Sequence, residues 1–414
     1  MLDVLYLTQD GITDHIGQAQ ISPYLIGLAR RGYRIHIVSA EKAGREAACA
    51  RSRAVFDAVG IQWTTVPYAN RPPIVSSFWT MYSLWRAAAR VARADRPRLI
   101  HCRSYLPLEI AARLKRVYGG KYLVDFRDFW ADVGIETKPF KSIYRAFRRR
   151  EARALEGADH VVTLTSRAAD VLIGRHPQLV GGSRAGYTVI PCCADFDLFD
   201  PASVPTEAAQ QRRRELALKQ DTTVLLYLGS VGADYLLPEM MAVFVELRRL
   251  RPESVFLFLI NNGHDVVAEA ARSAGLKPED YRLVSAARED IPQYLAVADL
   301  SCVFIRPTLS KSGCSPTKLG ELFAMNVPII ANAGVGDLDE IVDIDRNGSL
   351  IVADFAPETL RSALSRLLAV SDAQRAGIRA RNENFSLESG VRKYADVYAG
   401  LIGAPAGRTE TAPC

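Results

Sequence analysis

Ser315-Pro-Thr-Lys318, with Glu321 three residues further on, opens an apolar helical run with a small polar residue and a proline, the pattern of an N-cap followed by the first helical position. Thr317 and Lys318 then fall in the first turn, where backbone N–H groups lack partners and the helix dipole is positive. A lysine there adds cation to cation. It is a poor choice for helix stability alone and a good one for holding an anion. Glu321, one turn deeper, is placed to bind vicinal hydroxyls, as acidic residues do in other nucleotide folds. The competing reading is a surface ion pair between Lys318 and Glu321 at i,i+3 spacing.

A second segment with chemistry is Thr8-Gln-Asp-Gly-Ile-Thr-Asp-His-Ile-Gly-Gln-Ala-Gln20, a long polar loop with Gly11 and Gly17 ahead of a helix. Glycine beside a helix N-terminus lets N–H groups approach a phosphate. Ser22-Pro23 is another N-cap and N1 pair, and a start nearer Gly17 is the other possibility. The spacing is not G-x-G-x-x-G, and a merely solvated loop fits as well. His101-Cys-Arg103 and Asp125-Phe-Arg-Asp-Phe-Trp-Ala-Asp132 each follow an apolar run, so their polar groups should sit at strand ends. Three Asp-x-Asp strings occur, at Asp195 and Asp197, Asp337 and Asp339, and Asp343 and Asp345. Each lies in a segment better read as a linker or a helix start than as a metal site. The six histidines show no paired metal spacing.

The elements that must carry these loops are strands alternating with helices. In the first half the apolar runs are Val4–Leu7, Ile35–Val38, Leu99–Ile100, Tyr122–Val124, Val161–Leu164 and Thr188–Ile190, with helical periodicity over Pro23–Arg31 and Leu106–Val117. The alternation predicts a parallel sheet covered on both faces. Pro201–Gln220 is polar and reads as a linker with a short surface helix. The pattern then restarts with Val224–Leu228, Val255–Ile260, Leu300–Ile305, Val327–Ile330 and Leu350–Val352, and ends in an amphipathic helix over Phe385–Leu401. Two doubly wound α/β domains follow, and function should lie in the loops after their strands, in a cleft between the two.

The bulk numbers agree. A chain of 414 residues, 49% hydrophobic and 24% charged, has room for two ordinary cores. A net charge of +6 suits a phosphate-bearing partner. The first residues read as a strand, not a signal peptide, and no apolar run reaches the length of a membrane span. Seven cysteines without C-x-x-C spacing point to a reducing cytoplasm.

Ser315-Pro-Thr-Lys-Leu-Gly-Glu321, Ala324-Met-Asn-Val-Pro-Ile-Ile330 and Ala333-Gly-Val-Gly-Asp-Leu-Asp-Glu-Ile341 together resemble the donor-binding block of family 4 retaining glycosyltransferases. Ile190-Pro-Cys-Cys-Ala-Asp-Phe-Asp-Leu-Phe-Asp-Pro201 resembles that family's interdomain stretch, Glu289–Asp299 its approach to the donor strand, and Phe385-Ser386 with the helix after it its C-terminal helix. The resemblance spans nearly the whole chain. It implies two Rossmann-like domains facing across a cleft (the GT-B fold): residues 1–197 for the acceptor, 198–384 for a nucleotide-sugar, and a helix over 385–402 crossing back to the first domain; the small residues and prolines of 403–414 read as a mobile tail. It also implies transfer with retention, no divalent metal, and no cofactor, the nucleotide-sugar being a substrate. Glu321 matches the ribose-binding glutamate. Ser315, Pro316, Thr317 and Lys318 match the turn that meets the diphosphate, and Gly17, beside Gln18, the glycine loop that meets the donor from the other side.

Two departures stand out. The position of the family's first paired glutamate is Gly313, and the loop after Leu228 lacks the usual Arg and Lys. Gly229 and Gly232 still permit close approach, Ser230 can donate to a phosphate, and the missing charge must come from Lys311, Lys318 or Arg306. Arg127 stands where members often carry histidine. With Asp128 it is a catalytic candidate beside Lys318, and His101, Arg103 and Asp125 are acceptor-side candidates. The alternative for Asp125, Arg127 and Asp128 is a buried ion-pair network with Trp130 packing.

Lys138–Arg153 is strongly basic with Phe140, Ile143, Tyr144 and Phe147 interleaved, and Phe78–Trp85 is aromatic. The basic stretch suits an interfacial helix on an anionic membrane, where a lipid-linked acceptor would lie. The alternative is a solvated helix whose aromatics face the core. The expected partners are a UDP- or GDP-sugar and a glycan or polyprenyl-linked acceptor, with no nucleic acid. The setting is bacterial polysaccharide or glycoconjugate synthesis on the cytoplasmic side of a membrane. A sugar-nucleotide 2-epimerase and a non-catalytic sugar-nucleotide-binding subunit are the competing readings.

Overall fold

Val4-Leu-Tyr-Leu-Thr8 is buried at every position, so a strand formed by it has to be covered on both faces and flanked on both edges. In the computed structural model, which describes residues 2–69, 75–139, 141–155, 157–177 and 186–405, this strand (β1, Val4–Thr8) lies inside a seven-stranded sheet. Its companions are β2 (Ile35–Glu41), β3 (Gln62–Pro67), β4 (Leu99–Arg103), β5 (Lys121–Phe126), β6 (His160–Thr163) and β7 (Tyr187–Val189). The order is β3-β2-β1-β4-β5-β6-β7 and every pairing is parallel. Strand order reverses between β1 and β4, which opens a crevice at their carboxyl ends.

The same logic repeats. Strands β8 (Thr223–Leu228), β9 (Ser254–Leu259), β10 (Tyr281–Val284), β11 (Leu300–Val303), β12 (Ile329–Asn332) and β13 (Leu350–Val352) form a parallel sheet in the order β10-β9-β8-β11-β12-β13. Here the switch lies between β8 and β11. Apolar side chains such as Phe244, Phe256, Phe258 and Phe304 pack one face of this sheet, and Leu226, Leu257, Leu322 and Phe323 the other.

The chain divides into two compact units, Met1–Pro191 with Leu387–Cys414, and Cys192–Ser386. Residues 192–197, read from the sequence as the end of the first domain, pack in the second unit. Cys192 N–H donates to Ser315 Oγ (3.1 Å), and Arg379 Nη2 donates to the Phe196 carbonyl (2.9 Å). The C-terminal helix Leu387–Ile402 belongs to the first unit, where Tyr33 Oη donates to the Ala395 carbonyl (3.1 Å) and Tyr394 meets Tyr24 edge to face. Of the tail expected over 403–414, residues 406–414 lie outside the described residues.

The basic helix forms as Lys141–Leu155, but its aromatics turn inward. Tyr144 lies against the Cα of Gly134, where a Cβ would come within 2.1 Å of its ring, and Tyr144 and Phe147 both pack on Trp130. Phe140 lies outside the described residues. Among the described residues this helix exposes its arginines and Ile143 and keeps Tyr144 and Phe147 half-buried, which fits the solvated-helix alternative.

Candidate functional site

In the second unit the chain leaves β8 through Gly229 and returns from β11 through Arg306 into the helix Thr317–Ala324. That helix starts one residue later than Ser315-Pro316 suggested. Pro316, with extended ψ 118°, takes the N-cap position, and Ser315 accepts its bond from Cys192 instead of capping the helix. Ser22-Pro23 is shifted the other way, the helix starting one residue earlier with Ile21 at the N-cap position. Ser22 is the first residue of helix Ser22–Arg30, and a separate short helix, His15–Gln20, precedes it.

Lys318 is buried. Its Nζ lies 4.4 Å from the ring centre of Tyr227 and 4.7 Å from that of Tyr235, and donates to Tyr227 Oη at 3.3 Å. The ammonium also presses on Gly229. That residue has φ +133°, a conformation that favours glycine, and a Cβ there would come within 2.6 Å of Nζ and displace the ammonium. Among the described residues no carboxylate lies within ion-pair distance of Nζ. Burial lowers the Lys318 ammonium from 10.5 to about 8, against the opposing pull of Cys302, Cys314 and Glu321. The cation is held by aromatic faces, which favour it without neutralising it.

Glu321 is buried too, and its partner is not Lys318. Arg288 Nη1 donates to Glu321 Oε1 at 3.0 Å, and the same guanidinium lies 5.3 Å from the Phe199 ring centre. Burial raises the Glu321 carboxyl and Arg288 opposes it. The surface pair between Lys318 and Glu321 does not form. Lys311 lies in the 3₁₀ turn Leu309–Gly313 and pairs with Asp234 at 2.9 Å, so its charge is already partly used. Arg306 is exposed and ties the β8 loop, its N–H donating to the Asp234 carbonyl (2.8 Å) and its Nε to the Ala233 carbonyl (3.3 Å). Ser230 is exposed and its carbonyl accepts from Tyr227 Oη. Buried Asn332 at the end of β12 clasps Ile305 through both ends of its amide, at 2.9 Å each, and so fixes where the Arg306 loop leaves the sheet.

In the first unit Glu41, at the end of β2, pins the loop after β1. It accepts from Ile12 N–H (2.6 Å), Thr13 N–H (3.2 Å), Thr13 Oγ1 (2.7 Å) and Ser39 Oγ (2.7 Å). Gly17 lies in the helix after this loop. A Cβ there would sit 2.2 Å from the Gly11 carbonyl oxygen and 2.4 Å from that of Ile12. Its lack of a side chain lets the helix press on its own loop. Gln18 Nε2 donates to the Ile12 carbonyl at 2.8 Å.

At the β1/β4 switch, buried Asp125 receives Arg103 and Arg127, each at 3.3 Å, with His101 Nε2 at 3.7 Å. Arg103 also reaches Asp10 (3.4 Å), and Arg127 Nη2 donates to Gln20 Oε1 (3.3 Å). Burial acts to raise the Asp125 carboxyl. Arg127, His101 and Arg103 outweigh it and hold the group well below the usual carboxylate range. Burial lowers the His101 imidazole below its ordinary value, and its Nδ1 shares a 2.6 Å hydrogen bond with Tyr398 of the C-terminal helix. Four of the first-domain candidates are thus one buried ionic network. Asp128 stands exposed at its margin, and Trp130 packs away from it, stacked on Tyr105.

Among the described residues no cluster of three or more His, Cys, Asp or Glu is arranged to hold a metal ion. The leading aspartates of two Asp-x-Asp strings serve their own turns: Asp195 accepts from Asp197 N–H (3.1 Å), and Asp343 from Asp345 and Arg346 N–H (3.0 and 2.7 Å). In the third, Asp339 accepts from Gly334 N–H (3.1 Å). No helix among the described residues is long and apolar enough to cross a membrane.

Residues 20–193 match the family described as the glycosyl transferase 4-like domain, and residues 222–370 match glycosyl transferases group 1. No curated protein matches the chain. Among solved structures it is similar to a glycosyltransferase from Rickettsia africae ESF-5, with TM-score 0.69, 15% identity, and 97% of this chain and 98% of that one covered. It is similar to sucrose-phosphate synthase from Thermosynechococcus elongatus, with TM-score 0.70, 17% identity, and coverage of 98% and 100%. HepE from Anabaena, solved with UDP and glucose, gives TM-score 0.67, 14% identity, and coverage of 97% and 100%. At these identities the likeness is one of fold.

Proposed function

The chain belongs to the family 4 type glycosyltransferases, and from that premise we propose that it moves a sugar, with retention and without a metal, from a UDP- or GDP-sugar to a glycan or polyprenyl-linked acceptor in bacterial polysaccharide or glycoconjugate synthesis. The observation that carries the donor assignment is Lys318. A buried ammonium between two tyrosine rings, lowered by burial, gains most from an arriving phosphate. HepE, a structural neighbour, binds UDP and glucose, which supports a nucleotide-diphosphate donor here.

In the proposed reaction the sugar C1–O bond to the β-phosphate breaks. The acceptor oxygen bonds to C1 on the same face, and its proton passes to the departing phosphate oxygen. Lys318 and the N–H groups at the start of helix Thr317–Ala324 meet the charge that grows on the phosphate, so no protein nucleophile is required. Ser315, Pro316 and Thr317 shape that turn, and Gly229 and Ser230 border it. Arg306 and Lys311 hold the loops beside it. Glu321, positioned by Arg288, takes the ribose hydroxyls. In the first unit, Gly17 and Gln18 shape the loop that approaches the donor. Arg127 and Asp128 orient the acceptor hydroxyl, on a frame built by Asp125, His101 and Arg103. Metal independence is supported by the local duties of the Asp-x-Asp carboxylates.

A thermal-shift screen tests the donor. UDP- or GDP-sugars should raise the melting temperature in proportion to ln(1 + [L]/Kd), and ADP-sugars should not. No shift with any nucleotide-sugar would remove the proposal's basis.

A further inference from the structure

Phe78, Trp79 and Tyr82 are the most conspicuous apolar side chains on the surface, with exposures of 68%, 59% and 47%. They lie on the helix Val75–Asp95, not on the basic helix Lys141–Leu155. At about 100° per residue, exposed Phe78, Tyr82, Arg93, Arg86, Trp79 and Arg90 fall in one arc of about 120°. Buried Thr80, Leu84, Ala87, Ala88 and Val91 fill the opposite arc against the core. The outward face is therefore aromatic in its first two turns and arginine-bearing after that. The helix has no acidic residue before Asp95.

The aromatic end is ordered by its neighbours. Trp79 and Tyr82 have ring centres 6.1 Å apart, and Tyr82 and Trp85 5.9 Å. The Arg113 guanidinium, from the adjacent helix Leu108–Tyr118, covers Trp85 at 4.7 Å, and Arg86 lies 5.8 Å from the Tyr82 ring. Thr80 Oγ1 accepts from Ala69 N–H (3.1 Å), just beyond β3. This bond anchors the aromatic turns at the carboxyl edge of the first sheet, the edge that bears the loops after β1, β4 and β5.

We infer that this helix face is an interfacial anchor for an anionic lipid bilayer, with Phe78, Trp79 and Tyr82 entering the acyl boundary and Arg86, Arg90 and Arg93 lying among the headgroups. Exposed aromatics in continuity with an arginine stripe match what a lipid surface offers, apolar depth beneath anionic charge. Arginine stems lie along apolar surface while their guanidinium groups reach phosphate. The anchor sits at the loop-bearing edge of the first unit, so it presents those loops to a molecule held in the bilayer. This deepens the glycosyl-transfer reading by making the acceptor a membrane-held lipid, and it rests on that reading for the acceptor alone.

The test is flotation of the full chain with vesicles of phosphatidylcholine containing about one third phosphatidylglycerol, and with phosphatidylcholine alone. The wild type should float with the anionic vesicles only, and release at about 1 M salt. Phe78→Ser/Trp79→Ser/Tyr82→Ser and Arg86→Glu/Arg90→Glu/Arg93→Glu should each bind at least about tenfold more weakly while keeping the wild-type melting temperature. Trp79 is the most exposed tryptophan, so emission should shift to the blue on vesicle binding and stay put in Trp79→Phe. Flotation unchanged in both triple variants overturns the inference, and so does a wild type that binds neither vesicle. A wild-type dimer that dissociates in the aromatic variant, without vesicle binding, also overturns it and assigns the face to a second copy. Nucleotide-dependent thermal shifts should be identical in the triple variants. Vesicle binding without any nucleotide response would therefore sink the transferase reading and leave the anchor standing, and the reverse result would sink the anchor alone.

Discussion

Replacing Lys318 with methionine removes a charge and keeps most of the volume, and the structure gives the sign and size of both consequences. Lowering the ammonium from 10.5 to about 8 corresponds to about 3 kcal/mol of unfavourable free energy in the charged form. The rings of Tyr227 and Tyr235 offset about 1–2 kcal/mol of that. Lys318→Met should therefore stabilise the ligand-free protein by about 1–2 kcal/mol, or a few degrees at about 2–4 °C per kcal/mol. The pH dependence has a definite sign. Because the folded-state value is depressed, the burden is full below pH 8, where lysine is charged in both states. It fades as pH rises to 10.5, so the gap between variant and wild type should close over that window. Catalysis should move the other way. The variant should lose about 2–4 kcal/mol of transition-state stabilisation, seen mainly in kcat and less in the donor KM. Melting curves from pH 7 to above 10.5, with and without UDP or GDP, read the first effect, and initial rates read the second. A methionine variant less stable than wild type would refute the buried-charge argument, and one with normal kcat would demote Lys318 to a packing residue.

Other perturbations separate binding from framework. Glu321→Ala should weaken nucleotide affinity about tenfold to a hundredfold by titration, while the melting temperature stays near wild type. Unchanged affinity would reject the ribose role. Asp125→Ala leaves Arg103 and Arg127 buried without their shared carboxylate, so urea unfolding should show about 3–5 kcal/mol of lost stability. If stability held and only activity fell, Asp125 would instead be a ligand-contacting group. Glu41→Gln removes the charge that collects four donors from the first loop and β2, so it should impair transfer with little change in UDP affinity, and loop amides 12 and 13 should exchange hydrogen faster. Exchange as slow as in the wild type would show that the loop is held by something else.

The two sheets were legible because their inner strands are unbroken apolar runs, as in Val224–Leu228 and Ser254–Leu259. The strands that escaped notice are β3 and β10, both at sheet edges. Gln62-Trp-Thr-Thr-Val-Pro67 buries only Trp63 and Val66 and ends in proline, and Tyr281-Arg-Leu-Val284 is only half buried, so neither carries the buried-strand signature. At the candidate site, local spacing pointed to Lys318 and Glu321 but not to their partners. Tyr227, Tyr235 and Arg288 arrive from other elements, and i,i+3 arithmetic suggested a pair that burial separates. Glu41 was hidden for a related reason, since an acid closing an apolar strand shows nothing in sequence of the loop it gathers. Periodicity of the 141–155 helix gave aromatics among arginines without saying which way the aromatics turn, and the exposed aromatic face lay instead at Phe78, Trp79 and Tyr82.

The most direct test of the central claim is nucleoside diphosphate release from a UDP- or GDP-sugar in the presence of EDTA, with and without a polyprenyl-diphosphate-linked acceptor. Release should depend on the acceptor, survive EDTA, give a product retaining the anomeric configuration of the donor, and fall sharply in Lys318→Ala. Release that proceeds equally without acceptor, or no release from any nucleotide-sugar with a folded protein, would contradict it.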